Sequence, residues 1–381
     1  MKTRRRNARD AGAQAAGTAH APGAGPPRGG ATPRGAAGAR GALLGALLLA
    51  AVAGALAPAR AAAAADGAPA LGAIGLTVSD AERAATFFTE VLGFERLSAH
   101  EVAGEAIERL HAVFPARVRV VRLGLGDERL ELSEYVTPRG RPMPVDSRGN
   151  DLWFQHVAIV VSDMAAAYAR LRAHGVAHAS PEPQRLPDWN PAAGGIEAFY
   201  FRDPDGHFLE LIRFPEGKGD PRWQARDGRL FLGIDHTAVV VRDTDASLRF
   251  WRDALGLRVV GASENWGPEQ ERLNAVFGAR LRITTLRGAA GPGVELLEYR
   301  APGPGRPRPR DARANDVLHW QTDVRVADVQ GLARRLLAAD VAFDSPGDVA
   351  LRDAGLGFRE AALVSDPDGH RVRCIEDGKE D

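Results

Sequence analysis

Four times along the chain, apolar and polar positions alternate into a strand, regroup into a helical stripe and return to strand alternation. In the first pass, Ile74, Leu76 and Val78 share one face of a half-buried strand over 71–78. Asp80 stands where a helix cap belongs, and Ala84, Phe87, Phe88, Val91 and Leu92 form the stripe behind it. Gly93 supplies the stop. A short helix or connector is expected over 107–114, then two strands over 117–125 and 129–135, turning at Gly126 and Asp127. The unit reads β-α-β-β-β.

A second unit follows the Pro- and Gly-rich stretch 138–150, with a strand over 153–161, a helix over 163–174 and strands over 196–201 and 207–214. Its last strand leaves an Asp-Pro-Asp-Gly turn, whose proline fixes φ and whose glycine permits a positive one. In that strand Leu209 and Leu211 face one way, while Phe208, Glu210 and Ile212 face the other. A carboxylate on an apolar face needs a cation, a partner or water.

The rest of the chain repeats both units. Asp80 and Asp243, Gly93 and Gly256, and Asp205 and Asp368 are each 163 residues apart. Glu108-Arg-Leu-His-Ala-Val-Phe114 answers Glu271-Arg-Leu-Asn-Ala-Val-Phe277 at the same spacing. Coincidence at one spacing identifies a tandem duplication. The expected domains are 71–216 (units 71–137 and 150–216) and 230–377 (units 230–301 and 315–377), joined by a linker over 217–229.

Composition narrows the class without naming it. With 45% hydrophobic and 26% charged residues among 381, the chain can build sizeable cores. A formal net charge of +0 gives no electrostatic reason to expect a nucleic-acid partner. Residues 1–65 differ from the rest: a basic Gly-, Ala- and Pro-rich leader precedes the apolar run 42–57 and a small-residue stretch. That order reads as a signal peptide, so an exported protein, periplasmic or secreted, is expected, with no stable membrane anchor after cleavage. Cys374 is the only cysteine, which excludes an intramolecular disulfide.

Paired β-α-β-β-β units with His on a first strand and Glu on a last strand resemble the vicinal oxygen chelate superfamily, which includes glyoxalase I, extradiol dioxygenases and bleomycin-binding proteins. The resemblance rests on Phe87-Phe88 through Leu92-Gly93, Phe250-Trp251 through Leu255-Gly256 and both Asp-Pro-Asp-Gly turns, and covers about residues 71–377. It implies an α+β fold of tandem domains, each pairing two units into a curled mixed sheet, or cup. It also implies metal ligands on the first and last strands. Carried over, it assigns Glu131, His156 and Glu210 to a site in the first domain, with Ala73 at the fourth position. One divalent ion (Mn, Fe, Co, Ni or Zn) suits such a set. A buried histidine bonded to two carboxylates without metal is the competing reading. Glu131 and Glu210 are also the catalytic candidates.

The second domain offers His236, Glu295 and Gln321, with Arg373 at the place matching Glu210; a permanent cation there would repel a metal and could pair with Glu295. Trp189 and Asn190, on a loop, and Tyr200, on a strand, are candidate pocket residues. The function implied is a metal-dependent lyase or isomerase of the glyoxalase type, acting on a small substrate that chelates through two neighbouring oxygens. A non-enzymatic small-molecule binder or an extradiol-type dioxygenase is the alternative. Fusion of the units within one chain makes a monomer the expected state.

Overall fold

The computed structural model describes residues 68–225, 227–351 and 356–378; the leader and apolar run expected over 1–65 lie outside them. The first unit comprises β1 (Ala70–Val78), α1 (Ala81–Leu92), β2 (Glu95–Ala103), α2 (Glu105–His111), β3 (Arg117–Leu125) and β4 (Glu128–Thr137). The second has β5 (Gln155–Val161), α3 (Met164–Ala173), two short strands β6 (Ala177–His178) and β7 (Gln184–Arg185), then β8 (Glu197–Arg202) and β9 (Phe208–Arg213). The third has β10 (Phe231–Val241), α4 (Thr244–Leu248) continuing through a π-turn, β11 (Arg258–Trp266), α5 (Pro268–Asn274), β12 (Arg280–Arg287) and β13 (Gly293–Ala301). The fourth has β14 (Trp320–Arg325), α6 (Val329–Ala338), β15 (Ala342–Phe343), β16 (Val349–Ala350), β17 (Phe358–Ser365) and β18 (Arg371–Asp377).

The helix signals act as the sequence implies. Asp80, Asp163, Asp243 and Asp328 each accept a backbone N–H as N-caps, and Gly93 ends α1 at φ 71°. In every unit the first strand lies parallel to the last.

The units do not pair as neighbours in sequence. One nine-stranded sheet joins the first unit to the fourth through antiparallel β1 and β14; the other joins the second to the third through β5 and β10. The expected cups, 71–216 and 230–377, are therefore replaced by an outer pair and an inner pair of units. Small residues on β1 permit this. A Cβ on Gly75 would lie 2.7 Å from Gln321 Cγ, and one on Gly72 would lie 2.9 Å from Asp323 Cβ. Bulky polar side chains of β14 thus occupy space that β1 leaves free.

Alternation assigns the two faces of the inner sheet. Val157, Ile159, Leu209 and Leu211 join α1 and α3 in the largest core, which also takes Ile74, Leu130 and Trp320 from the outer sheet. Val239, Val241, Val294 and Leu296 pack with Leu248, Trp251, Leu332 and Leu336 in a second core. At about 25 cal/mol per Å² of apolar surface, this burial is the main stabilising term. The opposite face of β5, β9, β10 and β13 is left to line a cup.

Candidate metal centre in the inner cup

Four chemistry-bearing side chains meet on that face, one from each central strand. The sheet order β13-β10-β5-β9 brings Glu295, His236, His156 and Glu210 side by side. His156 Nε2 lies 3.0 Å from Glu210 Oε2, and His236 Nε2 lies 3.6 Å from the same oxygen and 3.4 Å from Glu295 Oε2. One ligand atom each from His156, Glu210 and His236 falls within a common 4.8 Å.

The supports fix these side chains unequally. His236 Nδ1 bonds Asp235 Oδ2 at 2.9 Å, so Nε2 points at the carboxylates. Asp235 is held in turn by Trp223 Nε1 at 2.9 Å and by an Arg287 Nη at 2.8 Å. Thr285 Oγ1 donates to Glu295 Oε1 at 2.8 Å, leaving Oε2 for the site. His156 sits between the rings of Phe154 and Tyr200, at centroid distances of 5.5 and 4.9 Å. Neither of its buried ring nitrogens makes a well-formed hydrogen bond, despite the short approach to Glu210. A buried histidine with both nitrogens unused, beside two carboxylates and a second histidine, fits a divalent ion that accepts nitrogen and oxygen donors. Burial opposes protonation of His236, but Glu295 and Asp235 outweigh it and raise its pKa to about 9. Burial, together with the charge of Glu210, pushes the Tyr200 phenol well above its ordinary range and keeps its O–H intact.

The group opens into a cavity of about 470 Å³, whose apolar walls include Leu186, Ile196, Ile212, Leu273 and Leu297. Tyr200 lines it, as does Gln270. Asn190 ties its loop to β11: its amide donates to Asn265 Oδ1 at 2.8 Å, and its oxygen accepts from the N–H groups of Ala192 and Ala193. Trp189 is 49% exposed and lies against Trp266, ring centroids 4.5 Å apart. Neither of these two loop residues is among the residues lining the cavity.

Glu131 is not in this group. It lies in the outer cup, where Arg373 occupies the place that Glu210 holds in the inner one. Arg373 Nη1 donates to Glu131 Oε1 at 2.9 Å, and its Nε and Nη2 hold both oxygens of Asp323 at 2.8 Å. All three side chains are buried. Burial alone would raise the pKa of Glu131, but Arg373 and Arg122 overcome it and hold that carboxyl down at about 2. Asp323, buried just as deeply, is shifted upward instead, because burial, reinforced by the charge of Glu131, outweighs Arg373 there. Gln321 belongs to this cup too, approached at 3.4 Å by His319 Nε2. Two sets expected from the sequence thus exchange members: Glu131 leaves His156 and Glu210 for Gln321 and Arg373, and His236 and Glu295 take its place. The expected contact of Arg373 with Glu295 does not form, because the two residues lie in different sheets. Asp235, Thr285 and Gln270 went unnoticed in the sequence, although Asp235 stands directly before a candidate ligand.

A family model described as Glyoxalase/Bleomycin resistance protein/Dioxygenase superfamily matches residues 70–211 and 233–374. A protein named 2-epi-5-epi-valiolone epimerase, from Actinomyces sp, is 36% identical over 171 residues, 43% of this chain and 89% of that one. Among solved structures, glyoxalase I from Zea mays is similar at a TM-score of 0.52 and 20% identity, covering 81% of this chain and 92% of that one. A putative dioxygenase from Bacillus subtilis gives a TM-score of 0.50 at 15% identity, covering 82% and 86%. At such identities these two structures bear on the fold alone.

Proposed function

The chain belongs to the Glyoxalase/Bleomycin resistance protein/Dioxygenase superfamily, and from that premise we propose that it is a divalent-metal-dependent isomerase, an epimerase acting at a carbon beside the carbonyl of a small hydroxyketone. The observation that carries this reading is the meeting of His156, Glu210, His236 and Glu295 at the wall of one cavity. Support comes from the printed name of the Actinomyces relative, an epimerase.

His156, His236 and Glu210 would hold the ion, with Glu295 beside them. A bound divalent metal supplies a Lewis acid that polarises a carbonyl and stabilises the charge left when a neighbouring C–H is deprotonated. The protein supplies the proton traffic. Glu295 is 20% exposed toward the cavity, and its Oε2 accepts the proton while Thr285 holds Oε1. Glu210 stands on the other flank of the histidine pair, so a carboxylate is available on each side. Removal on one side and return on the other inverts the carbon. Tyr200 remains a neutral donor that can bond a substrate oxygen.

The direct test is exchange of the carbon-bound proton for deuterium in metal-loaded protein with hydroxyketones, followed by NMR. Exchange that disappears in Glu295→Gln supports the reading; no exchange with any divalent metal refutes it. A ring-cleaving dioxygenase is the second reading, favoured by the assembly of two histidines and a carboxylate in the inner cup. Oxygen uptake with a catechol by Fe(II)-loaded protein would select it. We also propose export, on the strength of the basic leader and the apolar run that follows it. Recovery of full-length protein with its leader intact and retained in the cytoplasm would refute that.

A further inference from the structure

Among the described residues lining the inner cavity, only His156 and Gln270 carry buried side-chain atoms without a hydrogen-bond partner. The first belongs to the candidate metal centre. Gln270 lies on α5 and is 2% exposed.

Its orientation is fixed by a chain of bonds that starts at a group able only to accept. Tyr299 Oη donates to the carbonyl of Gly149 at 2.8 Å. The Tyr299 oxygen then accepts from Asn274 Nδ2 at 2.8 Å. Asn274 Oδ1 is left to accept from Gln270 Nε2, which it does. The order cannot be reversed without placing a lone pair against the Gly149 carbonyl, so Gln270 Oε1 is the end of the chain. A buried carbonyl oxygen with no donor is costly, and it persists where a ligand supplies the donor.

The duplicate cup provides an independent comparison. Gln270 corresponds to Ile107, 163 residues earlier, inside the repeated segment. Ile107 is ordinary core, packed with Leu110, Val113 and Val118. The cup whose metal position is taken by Arg373 therefore also has a hydrocarbon at this place. The acceptor accompanies the histidines and carboxylates.

We infer that Gln270 Oε1 accepts a hydrogen bond from a substrate hydroxyl beyond the chelating pair, so that the site selects polyhydroxylated ketones. This rests on the metal-dependent reading above. A substrate lacking that hydroxyl leaves the oxygen unpaired, which is how a polar site rejects a deoxy analogue.

The test uses Co(II)-loaded full-length protein titrated with 2-hydroxycyclohexanone, which has only the chelating pair, and with a pentahydroxycyclohexanone. Calorimetry gives the affinities, and the Co(II) absorption spectrum reports contact at the metal. Wild type should bind the polyol ketone about tenfold or more tightly than the simple one. Gln270→Met should remove that preference, weakening the polyol by about 10- to 100-fold and leaving the simple ketone unchanged. Retained Co(II) content verifies the folded site; should the Met variant misfold, Gln270→Ile, the residue of the duplicate position, replaces it. Equal losses for both ketones, or none, overturn the inference while leaving the functional reading standing. If neither ketone perturbs the Co(II) spectrum of wild type, the functional reading fails and this inference fails with it.

Discussion

Replacing Arg373 by leucine separates the outer cup's role from that of the inner one. The guanidinium holds Asp323 through two bonds of 2.8 Å and Glu131 through one of 2.9 Å. In Arg373→Leu, Glu131 keeps Arg122, 3.2 Å away, but Asp323 loses the only side-chain partner it has among the described residues. Breaking a buried ion pair from one side costs about 3–5 kcal/mol. A second route gives a similar figure. If Asp323 escapes by taking a proton, keeping it neutral at pH 7 against an ordinary pKa of 3.8 costs about 1.4 kcal/mol per pH unit, an upper bound of about 4 kcal/mol because its upward shift in the wild type already carries part of that cost. The sign follows: a carboxyl raised in the folded state destabilises it above the unfolded pKa, so the penalty should shrink as pH falls from 7 toward about 4. Urea unfolding of wild type and variant at several pH values measures this. A loss under about 1 kcal/mol at pH 7, or a penalty that ignores pH, would refute the reasoning.

Three further outcomes follow from the inner site. Asp235→Asn should keep the fold and lower metal affinity about 10- to 100-fold, measured by competition with a chromophoric chelator, because it loosens the orientation of His236. In metal-free protein the pKa of His236 is raised to about 9, so the stability it contributes is present below about pH 6.5 and fades as pH rises through about 9. Thermal unfolding of apo protein should show that decline, and metal affinity should rise over the same range as the competing proton leaves. Trp189→Ala should leave metal affinity unchanged and cost under about 1 kcal/mol of stability, since the ring lies at the surface against Trp266.

The fold was readable because its signals are local. Capping aspartates, helix-ending glycines and two-residue alternation define each unit without reference to the others, and the 163-residue repeat shows that there are four. Alternation also placed Glu210 and Glu131 on cup faces. Which units combine is a long-range matter, and every first strand presents much the same edge. The discriminating trace is small: Gly72 and Gly75 on β1 leave room for Asp323 and Gln321. Pairing of adjacent units, the expectation from sequence, therefore divides between two sites the His156, Glu210, His236 and Glu295 that the structure brings together in one cup. Arg373 was legible as incompatible with a metal, but its partner was misassigned for the same reason. Gln270 escaped because an amide on a short helix carries no sequence signature of an unused acceptor.

Metal content across four proteins tests the central claim most directly: wild type, His236→Ala, Glu210→Ala and Glu131→Gln, each reconstituted with a divalent ion, dialysed and analysed by mass spectrometry. The inner-cup account predicts about one ion per chain in wild type and in Glu131→Gln, and loss of it in both His236→Ala and Glu210→Ala. Metal retained by His236→Ala but lost from Glu131→Gln would contradict it.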